Sequence, residues 1–205
     1  MEGKFALGDR EKPGYLDMTA EQTLAAPHGF IWGMRAAKGW MHLSGSDSQS
    51  WTRFWLAGIL PIARQGGQAD HRRSAFGRYV AEAAIWTPAA LLPADGVTWE
   101  GIDMHTARVT VTYRDLSQQV DIHVDDDGRP AYVSFQRWSN ANPEKQFRLQ
   151  PFGAYPSEFK EFQSFTLPTH VEAGNHFGTE SYFPFFIVDV TRLEFPLGNA
   201  NDQSA

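Results

Sequence analysis

Apolar and polar residues alternate with period two along most of this chain. Ala107, Val109, Val111 and Tyr113 interleave with Arg108, Thr110 and Thr112. Successive side chains leave a strand on opposite faces, so this pattern predicts a half-buried strand. Val120, Ile122 and Val124 interleave with Gln119, Asp121 and His123, and Ala131, Val133 and Phe135 with Tyr132, Ser134 and Gln136. The link Asp125-Asp126-Asp127-Gly128 ends in an Asp-Gly pair, the chemistry of a tight hairpin turn. Residues 107–137 therefore read as a three-stranded antiparallel meander, with Val109, Val111, Val120, Ile122, Val133 and Phe135 on one buried face.

Further strands are predicted at 28–37, 40–45, 147–152, 158–165, 167–173 and 182–195. Two segments are apolar on both faces: Trp51, Phe54, Trp55, Leu56 and Ile59, then Tyr182, Phe183, Phe185, Phe186, Ile187 and Val188. A strand with two apolar faces needs cover on both sides. The cover is one helix over 74–86, where Phe76, Tyr79, Val80 and Ala83 recur at helical spacing. Asp70 or Ser74 is the expected cap, and a short turn through Ala89–Leu92 follows Pro88. The expected architecture is mainly β: a single long curled antiparallel sheet of nine or ten strands, half-open and barrel-like, with one helical plug across its concave face. Residues 1–196 form one domain in this reading and 197–205 a disordered tail. Phe5 and Leu7 alternate with Lys4 and Ala6, which places a first strand at one edge of the sheet or beside a missing strand.

Composition narrows the chemistry. The chain of 205 residues carries seven Trp, six Tyr and fifteen Phe, and each buried ring removes roughly 150–250 Å² from water. Cysteine is absent, which excludes disulfides and thiolate-ligated metals. A formal net charge of −6 argues against a nucleic-acid-binding face. The first residues do not form a secretory signal, and no stretch approaches the roughly 18 apolar residues of a spanning helix, so a cytoplasmic location is expected for the chain as given. The seven histidines lack metal-ligand spacing and read as solvated loop or outer-face residues; no cofactor is implied. No nucleophile elbow, phosphate loop or dinucleotide fingerprint occurs.

One cluster stands out. Arg78 and Glu82 are four apart on the helix. Either they form an exposed ion pair, or Glu82 points into the concavity and meets Arg137 or a tyrosine, because a buried carboxylate needs a partner. Arg137 itself reads as a rim arginine stacked on a ring.

The motif order Gly29-Phe30-Ile31-Trp32, Leu60-Pro61-Ile62, Arg78-Tyr79-Val80-Ala81-Glu82-Ala83, Pro88 to Pro93, Val97-Thr98-Trp99-Glu100 and Arg137 resembles a bacterial family known only as a domain of unknown function. The likeness runs from about Phe5 to Phe195. The pattern of that family is in turn similar to the bacterial lipoprotein-localisation carriers. That resemblance implies a half-open barrel whose apolar hollow holds acyl chains under a helical lid.

Three functions follow as alternatives. The first is a non-enzymatic binder or carrier of an apolar small molecule or lipid, held between sheet and helix by Trp55, Tyr79, Glu82, Trp86, Trp99, Arg137 and Tyr182. The second is an enzyme acting on a small hydrophobic substrate with Glu82 as acid or base. The third is a ligand-free scaffold acting through a partner surface. A cavity under residues 76–91, as opposed to a space filled by Trp side chains, separates the first from the third. Oligomeric state stays open.

Overall fold

The computed structural model describes residues 1–25 and 28–195. The expected tail 197–205 lies outside the described residues. In chain order the strands are β1 (Glu2–Ala6), β2 (Tyr15–Ala25), β3 (Gly29–Lys38), β4 (Met41–Ser48), β5 (Trp51–Leu56) and β6 (Leu60–Gly66). The helix α1 (Ala69–Trp86) and a 3₁₀ turn (Pro88–Leu91) follow. Then come β7 (Val97–Gly101), β8 (Thr106–Tyr113), β9 (Leu116–Val124), β10 (Pro130–Ser139), β11 (Arg148–Phe162), β12 (Phe165–Asn175) and β13 (Phe183–Asp189).

All thirteen strands join one antiparallel sheet in the order β6-β5-β4-β3-β2-β1-β13-β12-β11-β10-β9-β8-β7. Each neighbour is the next strand in sequence, except where β1 meets β13. That single long-range pairing ties the two halves together. It also corrects the expectation for the N-terminus: β1 is at the centre of the sheet, with Lys4 opposite Asp17 on one side and Ile187 on the other. The alternation at Phe5 and Leu7 correctly implies a strand, but alternation says nothing about where a strand lies in the order. The true edges are β6 and β7. Pro61 and Arg64 on β6, and the brevity of β7 with its Glu100, are edge features that discourage further pairing.

The sheet is curled and unclosed. One helix touches β9, β10 and β12 together with β3 and β6. Strands so far apart in the order reach the same helix only if the sheet wraps around it. The nine or ten expected strands become thirteen because the apolar run 51–62 splits into the hairpin β5–β6 and because β1, the eleven-residue β2 and β7 are added to them. The predicted strands 147–152 and 158–165 go the other way and merge into the fifteen-residue β11.

The meander is as expected. Val109 pairs with Val120 and Val133 with Ile122. Val109, Val120 and Val133 are completely or almost completely buried. At the Asp-Gly turn, Gly128 adopts φ 77°, which a glycine takes without steric cost, and its N–H donates to the Asp125 carbonyl at 2.9 Å.

The helix packs Phe76, Tyr79, Val80 and Ala83 inward, each at most 3% exposed. It begins five residues earlier than the periodicity suggests, and His71 adds a buried position ahead of Ser74. The N-cap is Gln68, with no side-chain bond, and not Asp70 or Ser74. Asp70 instead accepts a hydrogen bond from Trp138 Nε1 at 2.8 Å, which ties the first turn to β10. His71 corrects the view of the histidines as solvated: it is 4% exposed, with Nε2 2.9 Å from Thr52 Oγ1.

Candidate functional site

A cavity of about 210 Å³ lies between α1 and the concave face. Its position follows from the curl. From the helix, Arg78, Ala81, Glu82, Ile85 and Trp86 face it. Its walls are largely aromatic. Trp32 sits 6.0 Å, centroid to centroid, from both Phe54 and Phe186. Phe5, Phe185, Phe152 and Phe135 continue the lining in successive contacts of 5.4–6.0 Å.

Phe185 and Phe186 are adjacent in sequence yet both line the hollow. The cause is a β-bulge: Ala173 pairs with Phe186 and Gly174 with Pro184, so Phe185 has no opposite residue on β12. The extra residue re-aims one ring toward the cavity. Gly174 makes room for this, since a Cβ there would lie 2.0 Å from the Phe183 carbonyl oxygen.

One side of the cavity is charged. Arg78 Nε donates to Glu82 Oε1 at 2.7 Å, and Arg78 Nη1 donates to Asp47 Oδ2 at 2.8 Å. Its guanidinium also lies over Phe30 and Trp32, at 4.5 and 5.0 Å from the ring centroids. Burial works against the charge, but Glu82 and Asp47 outweigh it, so Arg78 is held protonated above its ordinary range. Gln22 Nε2 donates to Glu82 Oε2 at 2.5 Å, and Thr52 donates to Asp47 Oδ1. Glu82 therefore points into the concavity as the second reading expects, but its partners are Arg78 and Gln22 and not Arg137 or a tyrosine. Both of its oxygens are engaged.

Arg137 differs. It lines the same cavity, with its guanidinium carbon 4.9 Å from the Phe152 ring centroid. It makes no hydrogen bond and no ion pair among the described residues, and its Nε is fully shielded from solvent. Burial, and then the neighbouring positive Arg78, push its pKa down to about 10, with Asp47 and Glu82 opposing from a distance. Arg137 stacks on a ring as expected, but in the cavity wall and not at the sheet's rim.

Of the other expected site residues, Trp86 lines the cavity. Trp55 does not; its neighbour Phe54 takes the inward position. Tyr79 is packed in the core beside Phe76, with ring centroids 6.2 Å apart, and burial raises its phenol pKa. Trp99 lies on edge strand β7, where Nε1 donates to the Leu91 carbonyl at 2.7 Å and holds the 3₁₀ turn. Tyr182 belongs to an aromatic cluster away from the cavity, with Phe177 at 5.3 Å and Tyr155 at 5.7 Å. Burial and then Glu172 push the Tyr182 phenol upward. The alternation missed Trp32, Phe5 and Asp47 as lining residues. For Asp47 the available signal was a carboxylate inside an otherwise uncharged strand, facing a helix that carries Arg78.

Among the described residues no group of three or more His, Cys, Asp or Glu is placed to hold a metal ion. No helix among them is long and apolar enough to cross a membrane.

No curated protein matches the chain. Two solved structures align with much of the chain at low identity. A domain from Vibrio parahaemolyticus described as an outer membrane lipoprotein-sorting protein aligns over 96% of this chain and 84% of its own, at 10% identity and a TM-score of 0.47. A LolA superfamily protein from Nitrosomonas europaea aligns over 87% of this chain and 86% of its own, at 13% identity and a TM-score of 0.32. The model of the Family of unknown function (DUF6544) matches residues 1–187, nearly the full length of the sheet, and the chain belongs to that family.

Proposed function

We propose that the protein is a non-enzymatic binder or carrier of an apolar small molecule or lipid segment, held in the hollow between α1 and the sheet. The observation that carries this reading is the cavity. Of the seven tryptophans only Trp32 and Trp86 reach its wall, and neither fills it. A space of about 210 Å³ exceeds the roughly 150 Å³ apolar cavity known to admit benzene. It is below the roughly 300 Å³ at which pockets for drug-sized ligands begin. The size suits a ring or a short stretch of aliphatic chain. Asp47, Arg78 and Glu82 satisfy one another, so most of the wall offers a ligand only apolar contact.

The test is a titration with 1-naphthylamine, a small neutral fluorescent dye that is a single fused-ring unit. The expected result is one dye per chain, quenching of Trp32 and Trp86 emission, and a higher melting temperature. Free dye at a hundred times its Kd stabilises by about 2.7 kcal/mol, which is a rise of about 5–10 °C for a chain of this size. Ala173→Phe, or Ala154→Leu as a milder filling, places a side chain in the cavity and should abolish binding without unfolding the protein. No thermal shift in the wild type, or equal binding by a folded filled variant, would overturn the proposal.

A further inference from the structure

The unpartnered polar atoms around the hollow are all of one kind. Six buried side-chain nitrogen or oxygen atoms lack a hydrogen-bond partner among the described residues. Three of them belong to cavity-lining residues: Arg137 Nε, Trp32 Nε1 and Trp86 Nε1. Each is an N–H donor. A buried donor without an acceptor costs free energy comparable to a lost hydrogen bond, more so when charged. The two carboxylates lining the cavity do not relieve this, because Arg78 occupies both, with Gln22 on Glu82 and Thr52 on Asp47. The surplus negative charge of that triad acts on Arg137 only at a distance. An apolar hollow whose lining carries a guanidinium without an acceptor among the described residues calls for a guest with an acceptor at one end.

We propose that the ligand is an amphiphile with an anionic oxygen head group, received by Arg137, and a short aliphatic tail against Ile85, Phe152 and Phe186. This deepens the reading of the hollow as a ligand site and rests on it. A guanidinium suits the task because its planar fork meets two oxygens of a carboxylate or phosphate at once. The lowered pKa of Arg137 agrees with a cation whose partner is missing from the protein itself.

The probes are octanoate, octyl phosphate, 1-octanol and octylammonium, which each carry eight carbons and differ in the head. They are titrated at pH 8 into the wild-type chain by calorimetry, with tryptophan emission as a second readout. A charged head accepting from a buried guanidinium predicts that octanoate or octyl phosphate binds at least about tenfold tighter than 1-octanol. Octylammonium binds weakest. Whichever anion is tighter distinguishes a fatty-acid-like from a phosphate-ester source. Arg137→Met brings the anion down to the level of 1-octanol, and Arg137→Lys restores part of the preference. Binding of 1-octanol as tightly as both anions by the wild type would overturn the inference while leaving the apolar site intact. A preference that survives Arg137→Met in a folded protein would do the same. Failure of all four probes to bind would remove the ligand site and this inference together.

Discussion

Replacing Arg78 with Met tests whether the charged side of the hollow is built as described. The substitution keeps an unbranched side chain of similar reach and removes the one cation that is bonded to Asp47 and Glu82 among the described residues. It breaks two ion pairs, 2.7 and 2.8 Å long, between side chains only 15–18% exposed. An exposed i,i+4 pair contributes about 0.3–0.5 kcal/mol. Breaking a fully buried pair costs about 3–5 kcal/mol, chiefly because the abandoned charge stays buried. With partial exposure here, and with the guanidinium no longer stacked over Phe30 and Trp32, the expected cost is about 2–4 kcal/mol. The assay is urea unfolding followed by far-ultraviolet circular dichroism. Both proteins should unfold in one transition, as expected of one domain over residues 1–196. With a slope of about 2–3 kcal/mol per molar, the midpoint should fall by about 1 M. The triple variant Asp47→Asn, Arg78→Met, Glu82→Gln removes the stranded charges and should recover at least half of the loss. A single-variant shift below about 0.3 M would mean an ordinary surface ion pair, and the reasoning about the cavity's charge would be wrong.

Other consequences follow from particular contacts. Val80 is 0% exposed between α1 and the sheet, so Val80→Asp, which buries an unpaired charge, should abolish cooperative melting; a soluble protein of unchanged stability would refute the helix packing. Gly3 lies at the centre of the sheet, and a Cβ there would sit 2.0 Å from the Ile187 carbonyl oxygen, whereas one at Gly33 meets nothing within 4 Å. Gly3→Ala should therefore cost about 1–3 kcal/mol in the same urea assay and Gly33→Ala far less; equal costs would argue against the central placement of β1. His170 Nδ1 lies 2.7 Å from Asp189 and Nε2 3.6 Å from Glu172; burial opposes its charge, but the two carboxylates raise its pKa on balance. A pKa raised in the folded state gives stability that is full below the unfolded value of about 6.5 and is lost as pH rises through the folded value. His170→Gln should flatten that fall in the urea midpoint between pH 6 and pH 8.5, and an unchanged slope would show that another group titrates.

The meander and the inward face of the helix were legible because each depends on local periodicity and little else. Val109, Val120 and Val133 share a face by alternation, and Phe76, Tyr79, Val80 and Ala83 by helical spacing. The hollow was less legible because its wall depends on where the sheet bends. Phe54 and Trp55 are neighbours of equal apolar character on a strand apolar on both faces, so alternation left open which ring faces inward. Tyr182 precedes its strand by one residue, and the bulge that turns both Phe185 and Phe186 inward has no marker in the period-two pattern except Gly174. The centre of the sheet was missed for a related reason. The β1–β13 pairing joins residues more than 180 positions apart, and nothing near Phe5 signals a partner at Phe186. Glu82 and Arg137 were recognisable as chemistry-bearing residues. That Asp47 would complete the Arg78 pair, and thereby leave Arg137 alone, depends on β4 bringing Asp47 within 2.8 Å of Arg78.

The most direct measurement is a crystal structure of the wild-type protein grown with octanoate. The account predicts continuous density for an aliphatic chain between Ile85, Phe152 and Phe186, with the carboxylate within hydrogen-bonding distance of the Arg137 guanidinium. A hollow closed by repacked aromatic rings, or one holding only water beside an Arg137 paired with Asp47 or Glu82, would contradict it.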